Sequence, residues 1–379
     1  MSELARRNRK RLLDLVGTAD MLIVATTPEH VFYCSGYRSM SYDTDPATRM
    51  AVVFDADRGI LVGHKADHWA AVEAMGDALD YFAYGTFFFD ERDRTPSADF
   101  KSFDEALLAA VGQLAGGKRG MVFDRASDDL ARILTGTLAG ANGSAMFRRA
   151  RAIKNPLEID LMREASALTE RALARAFEEA RVGMTEADLT AIISSEMTTQ
   201  GAQPGFVVVT AGERSALADA YSTTRRLRAH DILRVDIGCR YNGYWSDTAR
   251  SAFIGEPRPD ALAAFRATAA GQDIGRKLVR PGISTDVIFR ETVATVRDSG
   301  LPDYRRHHVG HGLGLESHEY PTISAANNVI LEPGMVFCIE APYYRPGWGG
   351  VMTEDTMVVT AEGAEFFTHL SRDPIIIAA

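Results

Sequence analysis

Leu233-Arg234-Val235-Asp236-Ile237-Gly238, followed by Tyr241-Asn242-Gly243-Tyr244 and Trp245-Ser246-Asp247-Thr248, is the stretch from which the fold can be read. Leu233, Val235 and Ile237 alternate with Arg234 and Asp236, the period of a strand. The aromatic-flanked turn sends the chain back toward Asp247. Such a hairpin sets Asp236 and Asp247, 11 residues apart, on adjacent strands. Two acids brought together in a sheet repel each other unless a cation lies between them.

Working outward, the same arrangement occurs twice. Gly183-Met184-Thr185-Glu186-Ala187-Asp188-Leu189 and Gly282-Ile283-Ser284-Thr285-Asp286-Val287-Ile288 each place a hydroxyl N-cap and an acid at the head of an amphipathic helix. The helices end near Gly201 and Gly300. Strands follow in both halves, Asp231–Asp236 in the first and Val336–Glu340 in the second, and each ends on a carboxylate. The halves are thus expected to contribute acids to one site between them.

Three further segments add to the acids. His307-His308-Val309-Gly310-His311-Gly312-Leu313-Gly314-Leu315-Glu316-Ser317-His318 holds four histidines and three alternating glycines. The glycines let the backbone pass close to a neighbour, and no strand–loop–helix context supports a phosphate loop. Glu340 closes the apolar run Val336–Ile339. Glu354 heads the strand leading into Met357-Val358-Val359, with Met352 and Thr356 on its face. Asp236, Asp247, His311, Glu340 and Glu354 form a hard, oxygen-rich set. It suits two divalent ions (Mn²⁺, Co²⁺, Fe²⁺ or Zn²⁺) rather than a thiolate zinc site. Such a pair can activate a shared water and polarise a carbonyl.

The order and spacing of these residues resemble the pita-bread metallopeptidases, which include Xaa-Pro dipeptidase, aminopeptidase P and, by fold, creatinase. The matching motifs are Val235-Asp236-Ile237-Gly238, Ser246-Asp247-Thr248-Ala249-Arg250, His307–Gly314, Leu331-Glu332-Pro333-Gly334-Met335-Val336 and Glu354-Asp355-Thr356. Phe32-Tyr33-Cys34-Ser35-Gly36-Tyr37 resembles the creatinase-type N-terminal domain. Arg151–Glu158 resembles the family's passage into the catalytic domain. The resemblance implies an α/β creatinase-like N-terminal domain over 1–150 and an α+β pita-bread catalytic domain over 151–379, with an internal pseudo-two-fold repeat. It implies five metal ligands, a dinuclear centre with Mn²⁺ the foremost candidate, Glu340 as proton shuttle, and His318 and His307 as substrate-side catalytic residues. It further implies a homodimer and an Xaa-Pro dipeptidase-like hydrolysis in which metal-bound hydroxide attacks the carbonyl of a dipeptide or small amide.

The substrate shell departs from the family. Asp219 stands where the peptidases usually carry a substrate-binding histidine. Met352 replaces an arginine of proline-specific members, and Glu340-Ala341-Pro342 replaces Glu-Pro-Gly. These changes keep open a second reading, a creatinase-like C–N hydrolase or a lyase acting on a small metabolite.

The remaining sequence sets bounds. At 379 residues two domains are expected. The 46% hydrophobic and 25% charged content is that of a globular protein. A net charge of −9 gives no electrostatic reason to bind nucleic acid. No apolar run is long enough to span a bilayer and no signal peptide is evident, so a cytoplasmic protein is expected. Cys34, Cys239 and Cys338 are odd in number and far apart, which suits a reducing compartment. Cys338 reads as a packing residue and His64/His68 as part of a surface helix. Alternation in the N-terminal part predicts helices near 3–17, 66–75, 103–115 and 127–138, with strands at 21–25, 51–54, 60–62 and 119–124. A long helix is predicted over 157–180.

Overall fold

The computed structural model describes residues 1–45, 47–89, 98–124, 134 and 136–379. The chain divides into two compact units, Met1–Arg151 and Ala152–Ala379. The helix expected over 127–138 lies almost wholly outside the described residues.

The first unit is built on a seven-stranded mixed sheet. Its centre is Met21–Ala25, antiparallel to Ala51–Phe54 on one side and parallel to Gly120–Phe123 on the other. These strands are apolar on both faces because both are covered. Leu22, Val24, Val53 and Val62 pack against Ala106, Leu107, Ala110 and Val111 of the helix Phe103–Leu114. Ser102 caps that helix by accepting from the Glu105 N–H. The surface-helix reading of His64 and His68 is corrected here. His64 closes a strand, and His68 is buried at a helix start with its ring stacked on Tyr81, centroids 5.1 Å apart. A histidine at the foot of a helix packs inward when an aromatic strand residue lies beneath it.

The second unit repeats one motif twice. Helices α1 (Pro156–Glu179) and α2 (Glu186–Thr199) precede strands β1 (Gln203–Ala211), β2 (Ile232–Tyr241) and β3 (Thr248–Ile254). Helices α3 (Pro259–Leu278) and α4 (Thr285–Asp298) precede β4 (Gly310–Gly312), β5 (Glu319–Thr322), β6 (Val336–Glu340) and β7 (Glu354–Val359). Both α1 and α3 open with proline, whose missing N–H costs nothing in a first turn. Thr185 and Asp188 form a capping box on α2. Ser284 stands at the corresponding N-cap of α4. Gly183 and Gly282 both adopt positive φ, 91° and 83°, at the turns leading in.

The halves merge in one ten-stranded sheet whose path runs β2–β3–β7–β6–β4–β5, with β1 beside β2. The junction is the antiparallel contact of β3 with β7 at Ala249 and Glu354. Strand β1 was not anticipated. Pro204 and Gly205 weaken its signal, and the register shifts between Pro204 and Phe206 before regular pairing resumes through Val209. The hairpin between β2 and β3 forms as expected, its turn made by Asn242 (φ 47°) and Gly243 (φ 85°). Among the described residues, no helix is long and apolar enough to cross a membrane.

Candidate metal centre

The acids meet where the two hairpins face each other. Asp236 on β2 lies opposite Ala249 on β3, and Asp247 immediately precedes β3. In the second half Glu340 of β6 and Glu354 of β7 are direct cross-strand partners, 6% and 1% exposed. Like charges directly opposite destabilise a sheet, the more so without water. Adjacent β4 presents His311 opposite Cys338. Donor atoms of Asp247, His311, Cys338 and Glu354 all lie within 4.8 Å of one another. His311 Nε2 is 3.8 Å from Asp247 Oδ2.

The electrostatics show what the protein leaves uncompensated. Burial, then the charges of Asp236 and Glu340, pushes Asp247 well above the usual carboxylate range. Burial, then Asp247 and Glu340, does the same to Glu354. Glu340 is pushed up to about 7 by burial, against the pull of Arg306, whose Nη2 lies 3.4 Å from its Oε2. Asp236 is pushed up to about 6, again by burial, although Arg234 Nη1 stands 3.2 Å from its Oδ2. The imidazoles move the other way. Burial first, and then neighbouring rings, pushes His311 down to about 3 and keeps its lone pair free. Glu354 Oε2 is buried with no hydrogen-bond donor. A set of mutually repelling carboxylates, a neutral imidazole and an orphaned oxygen fits a bound divalent cation. Cys338 is within reach of the same point. Burial, then the charges of Asp247 and Glu354, raises its thiol well above the ordinary value, so it remains S–H and packs against Thr356 Oγ1 at 3.4 Å.

The backbone around these groups is tightly fixed. Gly310 crosses so close to β6 that a Cβ there would sit 2.1 Å from the Cys338 carbonyl oxygen. At Gly314 a Cβ would meet the Glu319 carboxylate. That carboxylate accepts from the N–H of Leu315 (2.7 Å) and Glu316 (3.2 Å) and pairs with buried Lys154 at 3.2 Å. The loop bearing His318 is thereby anchored. The His318 ring stacks on His311 with centroids 3.7 Å apart, while its residue remains exposed. His307 is exposed and reaches the cluster through the ring of His308, 4.2 Å away. His308 Nδ1 faces Glu340 Oε1 at 3.1 Å. His308, Arg234 and Arg306 were not singled out from sequence. An arginine two residues before the first acid, on that acid's own face, was the available signal for Arg234.

A family model described as Metallopeptidase family M24 matches residues 160–361, just over half of the chain. The chain belongs to this family. It is similar to the probable dipeptidase PepE of Mycobacterium tuberculosis, 36% identical over 234 residues, which are 61% of this chain and 62% of that protein. It is also similar to the Xaa-Pro dipeptidase of Pyrococcus furiosus, 33% identical over 228 residues, 59% of this chain and 65% of the relative. The match thus spans somewhat under two thirds of the length of these curated relatives. Among solved structures, dipeptidase PepE from Mycobacterium ulcerans superposes with a TM-score of 0.81 at 26% identity, over 100% of this chain and 99% of the other. The prolidase from Pyrococcus horikoshii OT3 gives 0.81 at 23% identity over 97% and 100%. This M24 member therefore has the pita-bread architecture with a creatinase-like N-terminal unit. The family implies divalent metal ions, and the cluster above is where its residues fit them.

Proposed function

We propose that this M24 protein is a metal-dependent dipeptidase of the Xaa-Pro dipeptidase type. The observation that carries the reading is the cross-strand pair Glu340–Glu354, buried with Asp247 and His311 and left without enough protein cations. Asp236, Asp247, His311, Glu340 and Glu354 would hold two divalent ions, with Mn²⁺ the best match to so oxygen-rich a set. When bound, such ions supply Lewis acidity to the scissile carbonyl and acidify water.

The chain's own groups do the rest. Glu340, already held near neutrality by its surroundings, takes a proton at its carboxylate and returns it to the leaving nitrogen. His318, stacked on His311, contacts the scissile group, and His307 lines the outer substrate side through His308. Arg234 fixes Asp236 against the carbonyls of Ser215, Leu217 and Ala218. Support also comes from the printed activities of the relatives, a probable dipeptidase and an Xaa-Pro dipeptidase. We further propose a homodimer in a reducing, cytoplasmic compartment, in keeping with three free, buried cysteines.

The test is metal content and turnover together. Protein reconstituted with Mn²⁺ is expected to hold two ions per chain and to hydrolyse dipeptides in a chelator-sensitive way. Asp247→Asn is expected to lose both properties. No bound metal and no chelator-sensitive hydrolysis would sink the proposal. A second reading, a C–N hydrolase or lyase of a small metabolite, is favoured by Asp219 and by buried Met352, whose Sδ accepts from the Tyr344 hydroxyl at 3.4 Å. Small amides, amidines and betaines run beside proline dipeptides separate the two.

A further inference from the structure

The segment that follows β1 is tied to the metal cluster by one guanidinium. Arg234, fully buried, donates from Nε to the Ser215 carbonyl at 3.0 Å. Its Nη2 donates to the carbonyls of Leu217 and Ala218, each at 2.7 Å. Its Nη1 reaches Asp236 Oδ2 at 3.2 Å. The next residue after these three carbonyls is Asp219. Its place beside the first acid is therefore fixed by the strand that bears that acid.

Asp219 is exposed, and among the described residues no donor or cation is paired with its carboxylate. A single peptide unit separates it from the Ala218 carbonyl, and the guanidinium that holds that carbonyl through Nη2 holds Asp236 Oδ2 through Nη1. Arg306, the cation beside Glu340, is committed to Glu340 Oε2 and to the His308 carbonyl. Leu217 and Tyr221, 43% and 92% exposed, flank Asp219 with apolar surface. The fold gains nothing from adding an uncommitted anion one residue beyond a backbone tied to an acid of the cluster. A cation arriving with the substrate gains a partner there.

We propose that Asp219 selects dipeptides carrying a cationic side chain, an ammonium or guanidinium on an aliphatic stem, beside the bond to be cut. The stem would lie along Leu217 and Tyr221 while its charged end meets the carboxylate. This rests on the hydrolase reading and adds to it the class of substrate. Asp219 acts on selectivity, as a binding group for the part of the substrate that does not react.

The test uses the full chain reconstituted with Mn²⁺ and matched dipeptides bearing lysine, norleucine or glutamate at one position, each with a free and an acetylated α-amine. Wild type is expected to favour lysine over norleucine in kcat/KM by about fivefold, the upper range for a solvent-accessible ion pair. The preference should reside in KM and shrink as salt is raised. In Asp219→Asn the lysine-to-norleucine ratio should fall to about one. Asp219→Glu should restore it, and Asp219→Lys should invert it toward glutamate. Loss of rate in equal proportion on lysine and norleucine peptides would overturn the proposal, since it would mean that Asp219 only orients His318. A wild-type lysine-to-norleucine ratio near one, with an acetylation penalty that is lost in Asp219→Asn, would also overturn it, assigning Asp219 to the α-ammonium. If wild type cleaves none of the peptides, the hydrolase reading fails. Calorimetric binding of the lysine and norleucine peptides to wild type and Asp219→Asn then decides the selectivity separately, equal affinities counting against it.

Discussion

Glu354 and Asp355 are neighbours on one strand, each 1% exposed, and the fold treats them in opposite ways. Strand alternation sends them to opposite faces of the sheet. Asp355 is saturated. It accepts from Arg250 Nη2 at 2.6 Å, Gln272 Nε2 at 3.0 Å and Thr368 Oγ1 at 2.9 Å, with Arg276 Nε at 3.1 Å. Glu354 faces Glu340 and Asp247, and its Oε2 has no donor. One carboxylate is neutralised by the chain, and the other faces like charges. Equal burial on adjacent residues therefore coincides with opposite electrostatics, countercharge on one face and carboxylate repulsion on the other.

The strongest way to break the contrast is to strip the compensated side. Arg250 is buried and also donates to the carbonyls of Glu354, Ala249, Leu370 and Ser371. It thus binds the two half-repeats at their junction. Arg250→Met is expected to lose about 3–5 kcal/mol, the cost of removing one partner from a buried ion pair, read from the urea midpoint at constant m. A loss below about 1 kcal/mol would mean that Arg276 and Gln272 suffice for Asp355. On the opposite face, Glu354→Gln is expected to lower kcat by at least about 100-fold and to abolish the thermal shift produced by Mn²⁺. Yet it should leave the metal-free protein as stable as wild type, or up to about 1 kcal/mol more stable, because it removes a cross-strand repulsion. Clear destabilisation of the metal-free variant would show Glu354 to be as structural as Asp355.

The contrast also has a pH signature. Glu340, folded, is pushed up to about 7 from an ordinary 4.5. Between those values the folded metal-free protein keeps a proton that the unfolded chain releases, so this contribution to stability is full below 4.5 and declines as pH rises through 7. Metal-free wild type should therefore lose stability relative to Glu340→Gln from pH 5 to pH 8. Saturating Mn²⁺ should cancel the decline. Parallel curves for the two proteins in the absence of metal would show that burial does not keep Glu340 protonated toward neutral pH.

Much of this cluster is legible in the amino-acid sequence. Both strand-terminal acids, the hairpin to Asp247, the histidine segment and the doubled helix-cap pattern are local signals of period and turn chemistry, and local signals survive in a sequence. Arg234 shows where legibility ended. A charged residue alternating with apolar ones normally marks the solvent face of a strand, but this sheet is covered on both faces and the arginine is buried. Which face receives cations is set by segments distant in sequence, as Arg250 and Arg276 are distant from Asp355. Strand β1 escaped because Pro204 and Gly205 interrupt its pattern. The nearness of His308 to Glu340 depends on a side-chain direction that spacing does not fix.

Glu158 offers the smallest and most separable test. It is buried far from the ligand strands in sequence, accepting from the Asn155 N–H at 2.8 Å and the Tyr244 hydroxyl at 2.9 Å. Burial pushes it up to about 7, against those two donors and Lys154. It is thus a carboxylate only partly compensated by the chain, intermediate between Asp355 and Glu354. Its raised value adds stability below 4.5 that is lost as pH rises through 7, the same sign as for Glu340. Glutamine keeps an oxygen for the capping N–H, so Glu158→Gln should fold and should flatten the decline in stability between pH 5 and pH 8 by up to about 2.5 kcal/mol. Unlike the Glu340 component, this one should persist when Mn²⁺ is bound. A Glu158→Gln protein with the wild-type slope in saturating Mn²⁺ would show that two hydrogen bonds and a nearby lysine are enough to hold a buried carboxylate charged. The distinction between Glu354 and Asp355 would then depend on the like charges facing Glu354 rather than on any shortage of donors.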